Sequence, residues 1–178
     1  MIGNLLTDYL VQIPDCIPHD LCDDIVNHYR NSDQWREGKV GRGSDVRTET
    51  RSCSQLKLSG ELDLRLYGCV SNALNSYVER HPDLHVFGDT GYTLLRYEEG
   101  DHYDTHVDVG EQTKERVLSA SFWLNDDYVG GEMCFPTAGF SNRCSKGSAL
   151  LFPSNFLFPH KVMPIVSGTR YSVVTWFT

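Results

Sequence analysis

The sequence predicts a mainly β fold with helices at its N-terminal end, an α+β arrangement. Two segments of the first half carry apolar residues at helical spacing. From Gly91 onward, short runs rich in Val, Leu, Phe, Tyr and Thr are separated by Gly, Pro and Asn. Because no helical segment separates these runs, the strands are expected to form a sandwich, a barrel or a jelly roll.

Two helices are predicted in the first half. The first follows Pro18, a residue suited to the first turn of a helix, and covers HDLCDDIVNHYRNS. Its apolar residues share one face: Leu21, Ile25, Val26 and Tyr29. The second covers 61–80 and stops before Pro82. Both helices need a sheet to cover their apolar faces, so we expect a single domain over 1–178.

Seven strands are predicted in the second half: YTLLRY (92–97), YDTHVDV (103–109), RVLSASFWL (116–124), GEMCF (131–135), SALLF (148–152), KVMPIV (161–166) and RYSVVTWF (170–177). Between the two helices, residues 36–51 contain three glycines, five basic and three acidic residues. This composition predicts a solvated loop, and a flap over a substrate is the alternative.

Charge and hydropathy exclude several classes of protein. The net charge of −8 argues against non-specific nucleic-acid binding, because phosphate contacts need Lys and Arg. No apolar run approaches the ~18 residues of a membrane span, and no secretory signal is recognisable. We therefore expect a monomeric, cytoplasmic protein without nucleic-acid or membrane partners, its six cysteines mostly reduced. A basic peptide partner is compatible with the acidic chain.

The triplet His-x-Asp, a common part of metal sites, occurs three times. The copy that spans Pro82 lies at a helix end and is interpreted as a structural turn. The other two overlap in one segment, and a strand there would place on one face His102, Asp104, His106 and Asp108. Such a face favours a metal site, because buried polar groups without partners are costly; a solvated strand edge is the alternative.

Two histidines and one carboxylate form the facial triad of non-haem iron(II) oxygenases. The second histidine must come from a distant segment, and His160 is the only histidine after His106. Arg170 opens the last predicted strand, and its guanidinium suits the far carboxylate of a dicarboxylate that chelates the metal. Spacing alone does not decide which His-x-Asp copy supplies the ligands.

Five blocks of the second half resemble the prolyl 4-hydroxylase family of Fe(II)- and 2-oxoglutarate-dependent oxygenases. The first, YEEGDHYDTHVD (97–108), is similar to the family pattern of Tyr, Gly, an aromatic residue and His-x-Asp. The others follow in the family's order: RVLSASFWLN (116–125), GGEMCF (130–135), KGSALLF (146–152) and HKVMPIVSGTRYSVVTWF (160–177). A weaker resemblance covers 13–26, so the likeness is concentrated in 92–178.

The resemblance implies a double-stranded β-helix, a jelly roll with helices packed on one sheet. Residues 91–178 would be its catalytic core, and residues 1–90 would supply helical support and the flap. The implied cofactors are Fe(II), 2-oxoglutarate and O2, with ascorbate as an optional reductant.

The family register, set by Tyr97, also assigns roles to individual residues. The metal ligands that it implies are His106, Asp108 and His160. Arg170 and Tyr97 would bind 2-oxoglutarate, although collagen-type members carry Lys where this chain has Arg170. The implied substrate groove contains Tyr103, Arg116 and Trp176. No catalytic residue is expected beyond the metal centre.

The implied activity is hydroxylation of prolyl residues in a peptide or protein, with release of succinate and CO2. The same chemistry on a free amino acid or another small molecule is one alternative. Nucleic-acid demethylases of this superfamily carry a second Arg where this chain has Trp176. The alternative from another class is a non-catalytic, cupin-like metal-binding module, which needs neither Arg170 nor Tyr97. The sequence does not distinguish 3- from 4-hydroxylation.

Overall fold

Both predicted helices are present. The computed structural model describes residues 5–38 and 49–178. Helix α1 (His19–Tyr29) begins directly after Pro18, and helix α2 (Gly60–Arg80) matches the second prediction to within one residue. The first helix ends three residues earlier than predicted.

The described residues contain fourteen strands: β1 (Val11–Ile13), β2 (Arg36–Glu37), β3 (Arg51–Ser52), β4 (Ser54–Lys57), β5 (Thr93–Tyr97), β6 (His102–His106), β7 (Leu118–Trp123), β8 (Val129–Gly130), β9 (Met133–Phe135), β10 (Phe140–Asn142), β11 (Ala149–Pro153), β12 (His160–Val162), β13 (Ile165–Ser167) and β14 (Arg170–Phe177). All seven predicted strands are confirmed in position. The run KVMPIV is divided into β12 and β13 at Pro164, which lacks the N–H that a continuous ladder needs.

The strands form antiparallel sheets. A seven-stranded sheet has the order β1-β11-β7-β14-β5-β4-β2, and a five-stranded sheet has the order β10-β9-β12-β6-β3. A short pair, β13-β8, completes the arrangement. Non-consecutive neighbours in both large sheets are typical of a jelly roll, so the expected double-stranded β-helix is confirmed.

The first half contributes more than helices and a loop. Strands β1 to β4 extend both large sheets, so residues 1–90 supply sheet strands in addition to the two helices. These strands are two to four residues long, too short for a period-2 pattern to be read from sequence. Most of the predicted loop, residues 39–48, lies outside the described residues, and its ends form β2 and the start of β3.

Strand β14 shows how the large sheet separates two interiors. Tyr171, Val173 and Phe177 face an apolar core that α1 and α2 cover. The alternate residues, beginning with Arg170, face the five-stranded sheet and line a cavity. A second apolar core fills the rest of the space between the two sheets. The helices therefore close one face of the large sheet, and the other face is left for a site.

Two further expectations concern the helices and the thiols. Over 5–38 and 49–178, no helix combines the length and apolar character needed to cross a bilayer. All six cysteines lie in these ranges and are free thiols, as predicted.

Replacing Leu66 with Ala should test the packing of α2 on the sheet. Leu66 is fully buried and Leu64, two residues away on the same helix, is 73% exposed. We expect Leu66→Ala to lower the free energy of unfolding by about 2–5 kcal/mol in a urea titration. Leu64→Ala, the control, should change it by no more than about 0.5 kcal/mol. Equal losses would mean that α2 packs through a different face.

Candidate active site

Two histidines meet where β6 pairs with β12. The antiparallel register places His160 directly opposite His106, and their ring centroids are 4.2 Å apart. The ring of Tyr103 stacks on His106 from the other side, with centroids 3.5 Å apart. Phe135 stacks on His160 with centroids 5.4 Å apart. Both imidazoles are therefore fixed in orientation by aromatic neighbours.

Asp108 completes a cluster with these two histidines. One carboxylate oxygen lies 3.6 Å from His106 Nε2, and the other lies 3.7 Å from His160 Nε2. The three candidate ligand atoms all lie within 4.8 Å of one another. Within the ranges that the structure describes, no other group of three His, Cys, Asp or Glu is so arranged. Two imidazoles and one carboxylate can hold a divalent metal and leave three positions open.

Backbone carbonyls orient the two imidazoles. His106 Nδ1 lies 2.8 Å from the carbonyl of Asp104, and His160 Nδ1 lies 3.1 Å from the carbonyl of Phe158. Because a carbonyl only accepts, each Nδ1 carries the hydrogen and each Nε2 presents its lone pair to the cluster. Burial, and then the nearby His160, lowers the pKa of His106 to about 3, so its ring is neutral at physiological pH.

The Asp108 carboxylate is held by Ser119, which is itself hydrogen-bonded to a second serine. Ser119 Oγ donates to Asp108 Oδ2 at 2.7 Å and lies 2.8 Å from the hydroxyl of Ser154. Burial alone raises the pKa of Asp108, but His160, His106 and the Ser119 hydroxyl outweigh burial and lower it. Asp108 is therefore ionised at neutral pH, the state that binds metal.

The remaining members of the overlapping triplets lie outside the cavity. Two residues of β6 oppose one of β12, because His160 pairs with His106 and Val162 pairs with Tyr103. This bulge places Tyr103 on the same side as His106 and breaks the simple alternation. His102 instead contacts backbone carbonyls, and Asp104 is exposed. The prediction that all four polar residues share one strand face is therefore wrong, and Asp108 lies beyond the end of β6.

Arg170 faces the cluster from the large sheet. It is 2% exposed, and its Cζ lies 5.1 Å from the Trp123 ring centroid and 5.4 Å from that of Tyr97. Among the described residues, no carboxylate lies within 4.0 Å of its guanidinium, and its Nε has no hydrogen-bond partner. Its Nη1 donates a long hydrogen bond to the carbonyl of Gly131, at 3.4 Å. A buried cation so placed can bind an anionic ligand, which would offset its desolvation.

Tyr97 pairs with Arg170 across the β5–β14 ladder and lines the same cavity. Burial raises the pKa of its hydroxyl, which therefore stays protonated and can donate a hydrogen bond. Ser172, two residues after Arg170 on the same face, is fully buried, and its hydroxyl has no hydrogen-bond partner among the described residues. Sequence reasoning missed Ser172, although the spacing Arg-x-Ser on a strand indicates a shared face.

The cavity between the sheets encloses about 710 Å³, a volume typical of small-ligand sites. All eight residues singled out from the sequence line it: Tyr97, Tyr103, His106, Asp108, Arg116, His160, Arg170 and Trp176. Arg116 lies over the indole of Trp176, with Cζ 3.6 Å from the ring centroid, and donates to the carbonyl of Asp108 at 3.1 Å. Sequence reasoning missed Arg51 and Lys57, which reach the cavity from β3 and β4.

A jelly roll that carries a His-Asp-His cluster opposite a buried arginine defines a class of metal-dependent oxygenases. The profile of the 2OG-Fe(II) oxygenase superfamily matches residues 92–178. The chain belongs to this superfamily, whose members use Fe(II), 2-oxoglutarate and O2.

Curated relatives point to the same group. A PKHD-type hydroxylase of Synechococcus sp. (strain CC9605) is 33% identical over 152 residues, which cover 80% of this chain and 65% of the relative. A PKHD-type hydroxylase of Idiomarina loihiensis is 27% identical over 175 residues, 94% of this chain and 76% of the relative. The chain thus spans slightly less than two thirds of the length of the Synechococcus relative.

Solved structures share the fold. A Pseudomonas putida prolyl-4-hydroxylase superposes with a TM-score of 0.78 at 22% identity, covering 98% of this chain and 95% of that one. A Trichoplax adhaerens prolyl hydroxylase in complex with a peptide fragment of hypoxia inducible factor superposes with a TM-score of 0.81 at 20% identity, covering 98% and 85%. At these identities the likeness concerns the fold.

Replacing single histidines should identify the metal ligands. We expect His106→Ala to weaken Mn(II) binding more than about 100-fold in a calorimetric titration, because loss of a ligand exceeds the cost of losing an orienting contact. His102→Ala changes a histidine of the same strand whose ring lies outside the cavity, and it should retain the affinity. The opposite pattern would assign the site to the other His-x-Asp copy.

Proposed function

We propose that this protein is an Fe(II)- and 2-oxoglutarate-dependent dioxygenase that hydroxylates prolyl residues of a peptide or protein and releases succinate and CO2. One observation carries the proposal: the His-Asp-His cluster and the buried Arg170 face each other across a single cavity. A cupin-like metal-binding module needs no buried cation in its cavity. It would therefore not account for the guanidinium of Arg170, which no carboxylate of the described residues neutralises.

In the proposed site, His106, Asp108 and His160 hold the iron. The imidazole of His106 is neutral and the carboxylate of Asp108 is anionic, so neither of these two ligands must lose a proton before the metal binds. Iron at this position supplies the redox chemistry that couples oxidative decarboxylation of 2-oxoglutarate to hydroxylation. Ser119 keeps Asp108 in its binding orientation.

The far carboxylate of 2-oxoglutarate binds at Arg170. No carboxylate of the described residues pairs with the guanidinium, so it is available to the cosubstrate. The hydroxyls of Tyr97 and Ser172 lie on the same wall of the cavity. Three donors around one carboxylate fix the orientation of the cosubstrate. The stacked rings of Trp123 and Tyr97 hold the guanidinium in place.

The substrate enters over Tyr103, Arg116 and Trp176. Tyr103 stacks directly on the candidate ligand His106, so a substrate that rests against Tyr103 lies beside the metal. The indole of Trp176 offers the flat, apolar surface that suits a proline ring, and Arg116 fixes its orientation. The prolyl hydroxylase names of the two structural neighbours support this choice of substrate.

The iron-loaded protein should convert 2-oxoglutarate to succinate, and a proline-bearing peptide should stimulate this conversion. Mass spectrometry should find one added oxygen atom on the proline, and a peptide with Ala in its place should remain unmodified. A protein that binds iron but consumes no 2-oxoglutarate with any peptide pool would exclude the oxygenase function. Turnover that leaves every proline unmodified would exclude only the prolyl substrate.

Arg170→Gln should raise the KM for 2-oxoglutarate more than about 100-fold, because removing one partner of a buried charge pair costs about 3–5 kcal/mol. Ser172→Ala should raise the KM for 2-oxoglutarate about tenfold, because one hydrogen bond to a charged group is lost. Arg80→Gln, an exposed arginine at the end of α2, is the charge-matched control and should have no effect. Metal affinity should be unchanged in all three variants. An unchanged KM in Arg170→Gln would place the cosubstrate elsewhere.

A further inference from the structure

The cavity has a charge opposite to that of the chain. The chain carries a net charge of −8, yet the described residues that line the cavity include one carboxylate, Asp108, and five basic side chains. These are Arg36, Arg51, Lys57, Arg116 and Arg170. The metal and cosubstrate sites use Asp108 and Arg170. Lys57, which no part of the proposed chemistry uses, reaches the rim of the same cavity.

Lys57 lies beside the proposed substrate residue Trp176. Its ammonium donates to the carbonyl of Thr90 at 3.1 Å, and the amide of Thr90 donates to the carbonyl of Trp176 at 3.0 Å. Arg116 stacks on the indole of Trp176 with its Cζ 3.6 Å from the ring centroid. One cation at the end of β4 and one in the loop before β7 therefore lie near Trp176 at the mouth of the cavity.

These two cations interact with each other. Partial burial lowers the pKa of Lys57, the proximity of Arg116 lowers it further, and Asp89 and Asp63 act in the opposite direction. Asp89 already accepts hydrogen bonds from the amide and the tyrosine hydroxyl of its own turn. An anionic group beside both side chains would be attracted by each of them.

We propose that the substrate is an acidic peptide, in which a Glu or Asp next to the target residue binds between Lys57 and Arg116. The proposal rests on the proposed function and names the class of its substrate. A peptide fits better than a small free acid, because Lys57 is exposed at the rim, where a chain leaving the cavity would pass. The net negative charge of the chain is compatible with a basic peptide partner, but the basic side chains of the cavity favour an acidic peptide.

Three peptides that differ only beside the proline, with Glu, Gln or Lys, would test the proposal. Fluorescence anisotropy without oxygen, in the presence of Mn(II) and 2-oxoglutarate, measures binding separately from turnover. We expect the Glu peptide to bind about tenfold more tightly than the Gln peptide at low salt, because it forms two partly exposed ion pairs. The preference should shrink as the salt concentration rises. Equal binding of the three peptides, or no binding of any, would overturn the proposal.

Variants of Lys57 make the test specific. Lys57→Gln should remove most of the preference for Glu, and Lys57→Glu should shift the preference to the Lys peptide, a gain that misfolding cannot produce. Lys161→Gln is the matched control, because Lys161 lies on β12 between two cavity-lining residues and points to the other face. An unchanged preference in Lys57→Gln would contradict the role of this residue.

The same preparations separate this inference from the proposed function. Consumption of 2-oxoglutarate by the iron-loaded protein is measured in parallel. Turnover without any charge preference would reject only the acidic substrate. A charge preference in binding without turnover would reject the oxygenase function, but it would still support an anion-binding site at the mouth of the cavity.

Discussion

The site depends on the pairing of β6 with β12. These strands are separated by more than fifty residues, and their antiparallel register alone sets His106 beside His160. A shift of one residue would turn one imidazole to the outer face of the sheet and break the cluster. The bulge in β6 is part of the same constraint, since it turns Tyr103 inward against His106 and leaves Asp108 just beyond the strand.

The five-stranded sheet supplies the two histidine ligands, and the seven-stranded sheet supplies the donors for the cosubstrate. Its central strand β14 carries Arg170 and Ser172 on the face opposite the helices, and the helix-covered core on the other face holds that strand in position. Metal ligands and cosubstrate donors thus come from two separate sheets. The polar groups of the cavity are costly to bury without ligands, and the packed cores on both sides offset that cost.

Much of this arrangement could be predicted from the sequence. Helical spacing located α1 and α2, and β-branched and aromatic runs located the strands of the second half. His160 and Arg170 stood out only because a His-x-Asp triplet preceded them. The choice of His106 over His102 came from the family resemblance, since spacing treats the two alike.

Other features could not be predicted, for physical reasons. The bulge in β6 depends on the partner strand, which local sequence does not specify. Strands β3 and β4 are too short for a periodic pattern, so Arg51 and Lys57 could not be placed in the cavity. Ser172 has no unusual neighbours along the chain, and it becomes notable only because its buried hydroxyl has no partner in the part of the chain that the structure describes.

The central claim is that metal and 2-oxoglutarate bind in one cavity and contact each other. Calorimetric titration of 2-oxoglutarate, with and without Mn(II) and in the absence of oxygen, tests it most directly. The account predicts that the metal tightens 2-oxoglutarate binding at least tenfold or so, about 1.4 kcal/mol, and that 2-oxoglutarate tightens metal binding by the same factor. The coupling should vanish in His160→Ala. Equal affinities with and without the metal would contradict the account.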